Sequence, residues 1–410
     1  MARLLSATWL WCYAATALLC DVRISPPRRS AGRRLAATDR DAEPFEIVRS
    51  DLKQMKLRIK ALVERTLDSG GDSSSDSSKS KSHPLLQGAA REFFERRERA
   101  FRPAVVLLVS RALQTETEEL PARHRLLAEI VEMMCTAQII HDSVLEDGAD
   151  SDDGNVAHRL YVSASAGNKV SVLAGDFLLA RCSVALSQLG DLNVVELMAT
   201  SLESMVHGGV LFAQALPVEL LERSNYERRT RLKTSALIAD ACRSAAILAG
   251  YDERAEVSEA VFNYATSLGL AYQTIADTIA FEAGECVTLT AFASSPPVIL
   301  AAERSPELRE AILSAAPATS GTALAALIPL VAAQDGVRRA LEAGTAHAEA
   351  AAAFLAPVPA SRYRDALLKM TNYVSQPDQR GLQREKFAAD AARRQAEAAR
   401  TLKALKTEAP

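Results

Sequence analysis

Residues 139–158, IIHDSVLEDGADSDDGNVAH, decide how this chain is read. The stretch starts as the end of an apolar run and passes into a burst of acid. Asp142 and Glu146 stand four residues apart, so on a helix their carboxylates share one face. Two oxygen ligands on a rigid face suit Mg²⁺, which takes one or two carboxylates and leaves its other positions to water and substrate phosphate. The plainer reading is a solvated acidic surface at a helix end. Against it stands the run from 131 to 140, which is mostly apolar and belongs in an interior.

Working outward, the 410 residues are 48% hydrophobic and 24% charged, ample for a large core. A net charge of −3 gives no electrostatic footprint for nucleic acid. Ala and Leu are abundant while Gly and Pro are few, which favours helix. Six cysteines (Cys12, Cys20, Cys135, Cys182, Cys242, Cys286) carry no CxxC spacing, so neither a disulfide framework nor a zinc site is expected.

Residues 1–42 read as a targeting leader. A short basic start precedes an apolar run over 4–19, too short for a comfortable membrane span and suited to a signal core. Residues 23–40 are rich in Arg, Ser, Ala and Pro and nearly free of acid, as transit peptides are. Signal core followed by transit-like segment points to a plastid reached through the secretory route. A simple secretory signal or a mitochondrial presequence is the alternative.

From residue 43 the pattern is helical. Phe45, Val48, Leu52, Met55, Ile59 and Leu62 recur at spacings of three and four, an amphipathic helix. Residues 68–82, DSGGDSSSDSSKSKS, have no means of packing and read as a flexible loop. Further helical runs fill 85–146. The run 168–189 is apolar almost all round, which predicts a central position. Helices are then predicted at 194–214, 226–248, 253–282, 297–302, 306–315, 321–333, 336–355 and 360–373. No alternating run is long enough for a strand. The prediction is one all-α domain over 43–375, followed by a charged, Ala-rich tail over 376–410 that reads as solvated.

Seven stretches also fall in one order: FRP at 101–103, IIHDSVLE at 139–146, GNKVSVLAGDFLLAR at 167–181, LKTSALIA at 232–239, GLAYQTIADTIAF at 269–281, SPELREAI at 305–312 and DGVRRALE at 335–342. Together they resemble the trans-polyprenyl diphosphate synthases, most closely the plastid solanesyl type that builds quinone side chains. The resemblance covers nearly all of 43–375. It implies helices around a central cavity, usually in a dimer, and a reaction joining an allylic diphosphate to isopentenyl diphosphate. There Mg²⁺ draws off the allylic diphosphate and a carbocation alkylates the second substrate. The leaving group carries several negative charges that metals and cations must neutralise, and the cavity must exclude water.

Carried over residue by residue, the resemblance implies metal ligation by Asp142 and Glu146, with Ser143 replacing the second aspartate of an Asp-Asp-x-x-Asp motif and Asp147 as a spare carboxylate. Lys233, Thr234 and Gln273 fall on diphosphate-contacting positions, Arg102 on an isopentenyl diphosphate arginine, and Arg99 where the family has lysine. Ala137, five residues before Asp142, falls where a small residue leaves room for long products. The second metal motif is depleted: Ala276 and Ala280 replace two carboxylates, and Asp277 alone remains as a ligand candidate. The loop that follows holds no lysine, Cys135 replaces a histidine, and Asp152-Asp153 stand where paired arginines are expected. At an effective dielectric of ~20, one unit pair ~4 Å apart is worth about 4 kcal/mol, so two anions that face the site in place of two cations weaken diphosphate binding steeply; if the one residue inserted before them turns them outward, the cations are still missing.

Three functions are compatible with this pattern: a weakened or non-catalytic subunit partnered by an active paralogue, an active homo-oligomeric prenyltransferase, or an isoprenoid-binding scaffold. Outside the family frame, Lys233 and Thr234 read as helix surface, Gln273 as a helix polar residue and Cys135 as a buried thiol. Asp176 is expected to pair with Lys169 or Arg181, and His141 to be a packing residue.

Overall fold

A computed structural model describes residues 44–65, 101–114, 119–142, 164–286, 288–316 and 322–375. Twelve helices of seven residues or more are seen among them: α1 (Arg49–Arg65), α2 (Phe101–Leu113), α3 (Ala122–Asp142), α4 (Ala164–Leu189), α5 (Leu192–Gln214), α6 (Arg223–Thr230), α7 (Ala236–Leu248), α8 (Glu256–Glu282), α9 (Pro296–Ala302), α10 (Pro306–Ser314), α11 (Gly336–Phe354) and α12 (Arg362–Ser375). No extended strand is seen among the described residues. The loop 68–82, the acidic residues 143–153, Arg99 and the tail after 375 lie outside them.

Helix periodicity fixes which faces turn inward. On and beside α1, Val48, Met55 and Ile59 are buried while Lys53 and Gln54 are exposed, as the spacing predicts. On α3 nearly every apolar residue is buried, including Leu127, Ile130, Met134, Ala137 and Ile140. Its buried Glu129 is matched by Arg58 of α1 at 2.5 Å, so the charge does not enter the core alone. α8 is buried along most of its length and packs against α7 on one side and α11 on another. The α8–α11 contact is close because Gly344 has no Cβ: one built there meets Ile275 Cγ1 at 2.6 Å. α8 stops at Gly284, whose φ of +76° is a left-handed helix-ending conformation that glycine adopts without a Cβ penalty.

Three expectations are corrected. The segment 321–333 holds two short helices, Thr322–Ala325 and Ile328–Ala333, and not one. The segment 226–248 is not one uninterrupted α-helix: a π-helical turn, Arg231–Ser235, separates α6 from α7. The run 168–189 is not central. α4 packs along α3 through Ala174, Leu178 and Cys182, but Val172, Leu173 and Val184 are exposed. Composition reports how apolar a helix is and not how many neighbours it has.

Candidate active site

The π turn organises the site. Its two central residues are neighbours in sequence and reach in different directions. Lys233 Nζ pairs with Asp142 Oδ2, at the end of α3, at 3.1 Å. Thr234 Oγ1 donates to Gln273 Oε1 of α8 at 3.1 Å. A π turn holds one residue more than an α turn, and such bulges concentrate at functional sites. Here the extra residue is accommodated by two glycines. A Cβ on Gly208 of α5 would lie 2.9 Å from the Lys233 backbone nitrogen, and one on Gly269 of α8 would lie 2.6 Å from Ser235 Oγ.

On the α3 side, Asp142 is buried and receives a second contact from Gln138 Nε2 at 2.8 Å, one helical turn earlier. Ala137 is fully buried on the same helix. Glu146 and Asp147, the companions expected for Asp142, lie outside the described residues, as does Arg99. Arg102 is buried in the first turn of α2, next to Pro103. Cys135 is a buried thiol.

On the α8 side, Ala276 and Ala280 are buried at 2% and 3% exposure, so methyl groups occupy the face where paired carboxylates were sought. Asp277 is buried as well, but turned to other partners. Its Oδ1 accepts from Gln273 Nε2 at 2.6 Å and its Oδ2 from the Tyr226 hydroxyl of α6 at 2.8 Å. Burial pushes the Asp277 carboxyl up to about 6, against the pull of Gln273, Tyr226, Arg229 and Lys233. Burial and the Asp277 charge together hold the Tyr226 phenol well above its ordinary range. Arg229 donates to the Ser294 carbonyl at 2.6 Å, and its guanidinium lies 4.5 Å from the Phe212 ring centroid and 5.1 Å from that of Tyr226.

Thus Asp142, Lys233, Thr234, Gln273 and Asp277 form one connected set. Tyr226, Arg229 and Gln138 were not foreseen from the sequence. Gln138 carried a legible signal, since it precedes Asp142 by one turn. Tyr226 carried a weaker one, two turns before Lys233. Asp176 pairs with neither Lys169 nor Arg181 as expected; its Oδ1 lies 3.3 Å from His141 Nε2. That imidazole also meets the Val172 carbonyl at 3.2 Å and lies against Gly175, where any Cβ would collide with it. His141 is therefore a packing residue between α3 and α4, as expected.

Among the described residues, no three His, Cys, Asp or Glu side chains come together as a metal site. Asp142 offers one carboxylate, of the kind Mg²⁺ takes, although Gln138 and Lys233 hold its two oxygens here. The alanines at 276 and 280 offer no ligand for a second ion, and Asp277 beside them is buried with Tyr226 and Gln273 on its two oxygens. A groove of about 910 Å³ along α11, lined by residues including Val337, Leu341 and Glu342, contains none of the candidate residues.

The sequence pattern of the polyprenyl synthetase family matches residues 83–291. The chain belongs to that family. It is 31% identical over 361 residues to a decaprenyl-diphosphate synthase of Dictyostelium discoideum, covering 86% of this chain and 75% of that one. It is 30% identical to solanesyl diphosphate synthase 3, chloroplastic/mitochondrial, of Arabidopsis thaliana, covering 82% of this chain and 80% of the relative. The expected solanesyl-type resemblance is thereby borne out. Among solved structures, the apo form of an Arabidopsis medium/long-chain-length prenyl pyrophosphate synthase superposes with a TM-score of 0.61 at 28% identity, over 82% of this chain and 99% of that one. A polyprenyl synthase from Caulobacter crescentus, complexed with calcium and isoprenyl diphosphate, gives 0.64 at 23% identity over 84% and 99%, and so speaks to the fold alone. The all-α isoprenoid synthase fold is the fold of this polyprenyl synthetase.

Proposed function

We propose that this polyprenyl synthetase is a solanesyl-type subunit for isoprenoid or quinone side-chain synthesis, with catalysis of its own weakened or lost. One observation carries the reading. The α8 face that should hold a second metal consists of the buried methyls of Ala276 and Ala280, while Asp277 spends both oxygens on Tyr226 and Gln273. Asp142, with Glu146 and Asp147, would hold Mg²⁺, which when bound neutralises charge on a departing diphosphate. Lys233, which pairs with Asp142, would turn toward an allylic diphosphate. Thr234, Gln273, Arg102 and Arg99 complete the proposed diphosphate set, with Arg102 and Arg99 for isopentenyl diphosphate. Ala137 leaves room for a long product.

The exposed apolar residues of α4 (Val172, Leu173 and Val184) support a subunit contact, with a second copy or with an active paralogue. The names of the curated relatives, chloroplastic or mitochondrial, support a plastid location, with the mitochondrion as second choice. An active synthase working from the α3 face alone is the second reading, favoured by the intact Lys233–Asp142 pair.

The test is chain elongation from allylic and isopentenyl diphosphates with Mg²⁺, by the purified protein alone and with a paralogue that has both metal motifs. Weak or absent turnover alone, with stimulation of the paralogue, is expected. Ordinary turnover by the protein alone would establish the second reading in place of the first. No effect on the paralogue would leave a scaffold.

A further inference from the structure

We propose that the groove on the outer face of α11 is the docking site for this chain's own segment 376–410. The proposal does not depend on the diphosphate reading. The groove has a volume of about 910 Å³, with half-buried Val337 and Leu341 supplying its apolar part. α11 turns another side to α8, where Gly344 sits against Ile275, so the groove faces outward. Its charge is acidic. Asp335, Glu342 and Glu349 are exposed around it with Arg338 as the one cation of the lining, and Arg338 already bridges Asp335 and Glu342.

The occupant follows from where the described residues stop. Ser375, the last residue of α12, lines the groove itself, so residue 376 starts at its edge. A segment tethered there meets the groove at an effective concentration on the order of millimolar, so modest contacts suffice to seat it. The segment has the matching charge. Between 393 and 406 it carries Arg393, Arg394, Arg400, Lys403 and Lys406 against Glu397 alone. It also has a helical period: Ala388, Ala392, Ala396, Ala399, Leu402 and Leu405 recur at spacings of three and four.

Ala, Leu, Arg, Lys and Glu are strong helix formers, and the pairs Asp390–Arg394 and Arg393–Glu397 stand one turn apart with opposite charge. In proteins a helix of this length draws most of its stability from packing an apolar face, so the stripe calls for a surface. The lengths agree. α11 from 335 to 349 runs about 21 Å at ~1.5 Å per residue, and 388–405 as a helix covers about 26 Å. The intervening residues 376–387 reach up to ~40 Å when extended, enough to bring that helix to either end of the groove.

The test is a distance distribution between two spin labels on the full chain. They are attached at Ala353→Cys, an exposed position on α11 one turn past Glu349, and at Lys403→Cys, beside the apolar stripe. Cys12→Ser and Cys20→Ser remove the cysteines outside the described residues, and the other four are buried. The labelled chain is diluted into a large excess of unlabelled chain, so that only distances within one chain are read. Docking is expected to give one narrow distance, whereas a flexible coil from 376 to 403 gives a broad spread near ~30 Å. Glu342→Lys with Glu349→Lys reverses the groove's charge at exposed positions, where substitution hardly affects folding, and is expected to at least halve the narrow population. Leu402→Asp with Leu405→Asp breaks the stripe without touching the described core and is expected to abolish it. A broad distribution without these changes overturns the proposal. A narrow distance that survives both double variants puts the segment on another surface and overturns it too. A narrow distance seen only with undiluted labelled chain belongs to the segment of a second copy, which overturns the assignment to the chain's own.

Discussion

The end of α3 and the C-terminal half of α8 both supply residues to the candidate site, and they treat charge in opposite ways. At α3, a buried carboxylate is compensated by a cation: Asp142 pairs with Lys233 through one oxygen and accepts from Gln138 through the other. At α8, two buried methyls stand where carboxylates would be costly without a metal, and the one remaining carboxylate is tied inward by Tyr226 and Gln273. The first arrangement balances a negative charge with a positive one; the second holds a negative charge among neutral donors, locked inward. A carboxylate near a site is thus not a ligand by position alone. Its existing hydrogen-bond partners decide what it is free to hold.

The largest expected effect comes from erasing the difference. Ala276→Asp together with Ala280→Asp puts two ionised groups into positions buried at 2% and 3% exposure. Each buried ion costs several kcal/mol when uncompensated, so the doubly substituted protein should melt much earlier in metal-free buffer. Mg²⁺ with pyrophosphate should recover much of that loss. Elongation activity should rise on the order of a hundredfold if a second ion then supplies even a few kcal/mol of charge stabilisation. A variant that melts early and gains nothing from Mg²⁺ would mean that the face cannot be rebuilt into a metal site.

Breaking the α3 side comes next. Asp142→Ala leaves the Lys233 ammonium without the carboxylate 3.1 Å away, in a largely buried position. Removing one member of such a pair costs about 3–5 kcal/mol, readable by urea denaturation. A loss under about 1 kcal/mol would mean that the pair is solvated like a surface salt bridge.

The locked side has a pH signature. Burial pushes the Asp277 carboxyl up to about 6 from an ordinary 3.8. The folded chain therefore holds that proton more firmly than the unfolded chain. The resulting stability is fully present below about pH 3.8 and is lost as pH rises through about 6. Relative to Asp277→Asn, the unmodified protein should lose roughly 3 kcal/mol between those limits. A stability difference that stays flat with pH would contradict the burial of this carboxylate.

The smallest effect concerns the turn that joins the two sides. Gly269→Ala places a methyl 2.6 Å from Ser235 Oγ and presses on the π turn. Overpacking of this kind costs about 1–3 kcal/mol. If the turn shifts with it, pyrophosphate affinity should fall as well. Rotating the Ser235 side chain would not relieve the clash, since the Ser235 Cα lies 2.9 Å away, so an unchanged melting temperature would contradict this close approach.

Much of the fold was legible because helix periodicity is local. The spacing of Val48, Met55 and Ile59 fixed an inward face without knowledge of any partner. The sequence alone also singled out Asp142, Lys233, Thr234 and Gln273, which the fold brings together, and it placed alanines at 276 and 280. Tertiary structure decided the rest. It interrupted the helix over 226–248 with a π turn, because Gly208 and Gly269 on two other helices leave space for one. It left one face of α4 open, because burial depends on neighbours. It brought Tyr226, a residue on another helix, to Asp277, and with Gln273 the two hold both of its oxygens. Local sequence sets which residues share a face, whereas the partner of a buried charge comes from distant parts of the chain and is set only when the helices pack.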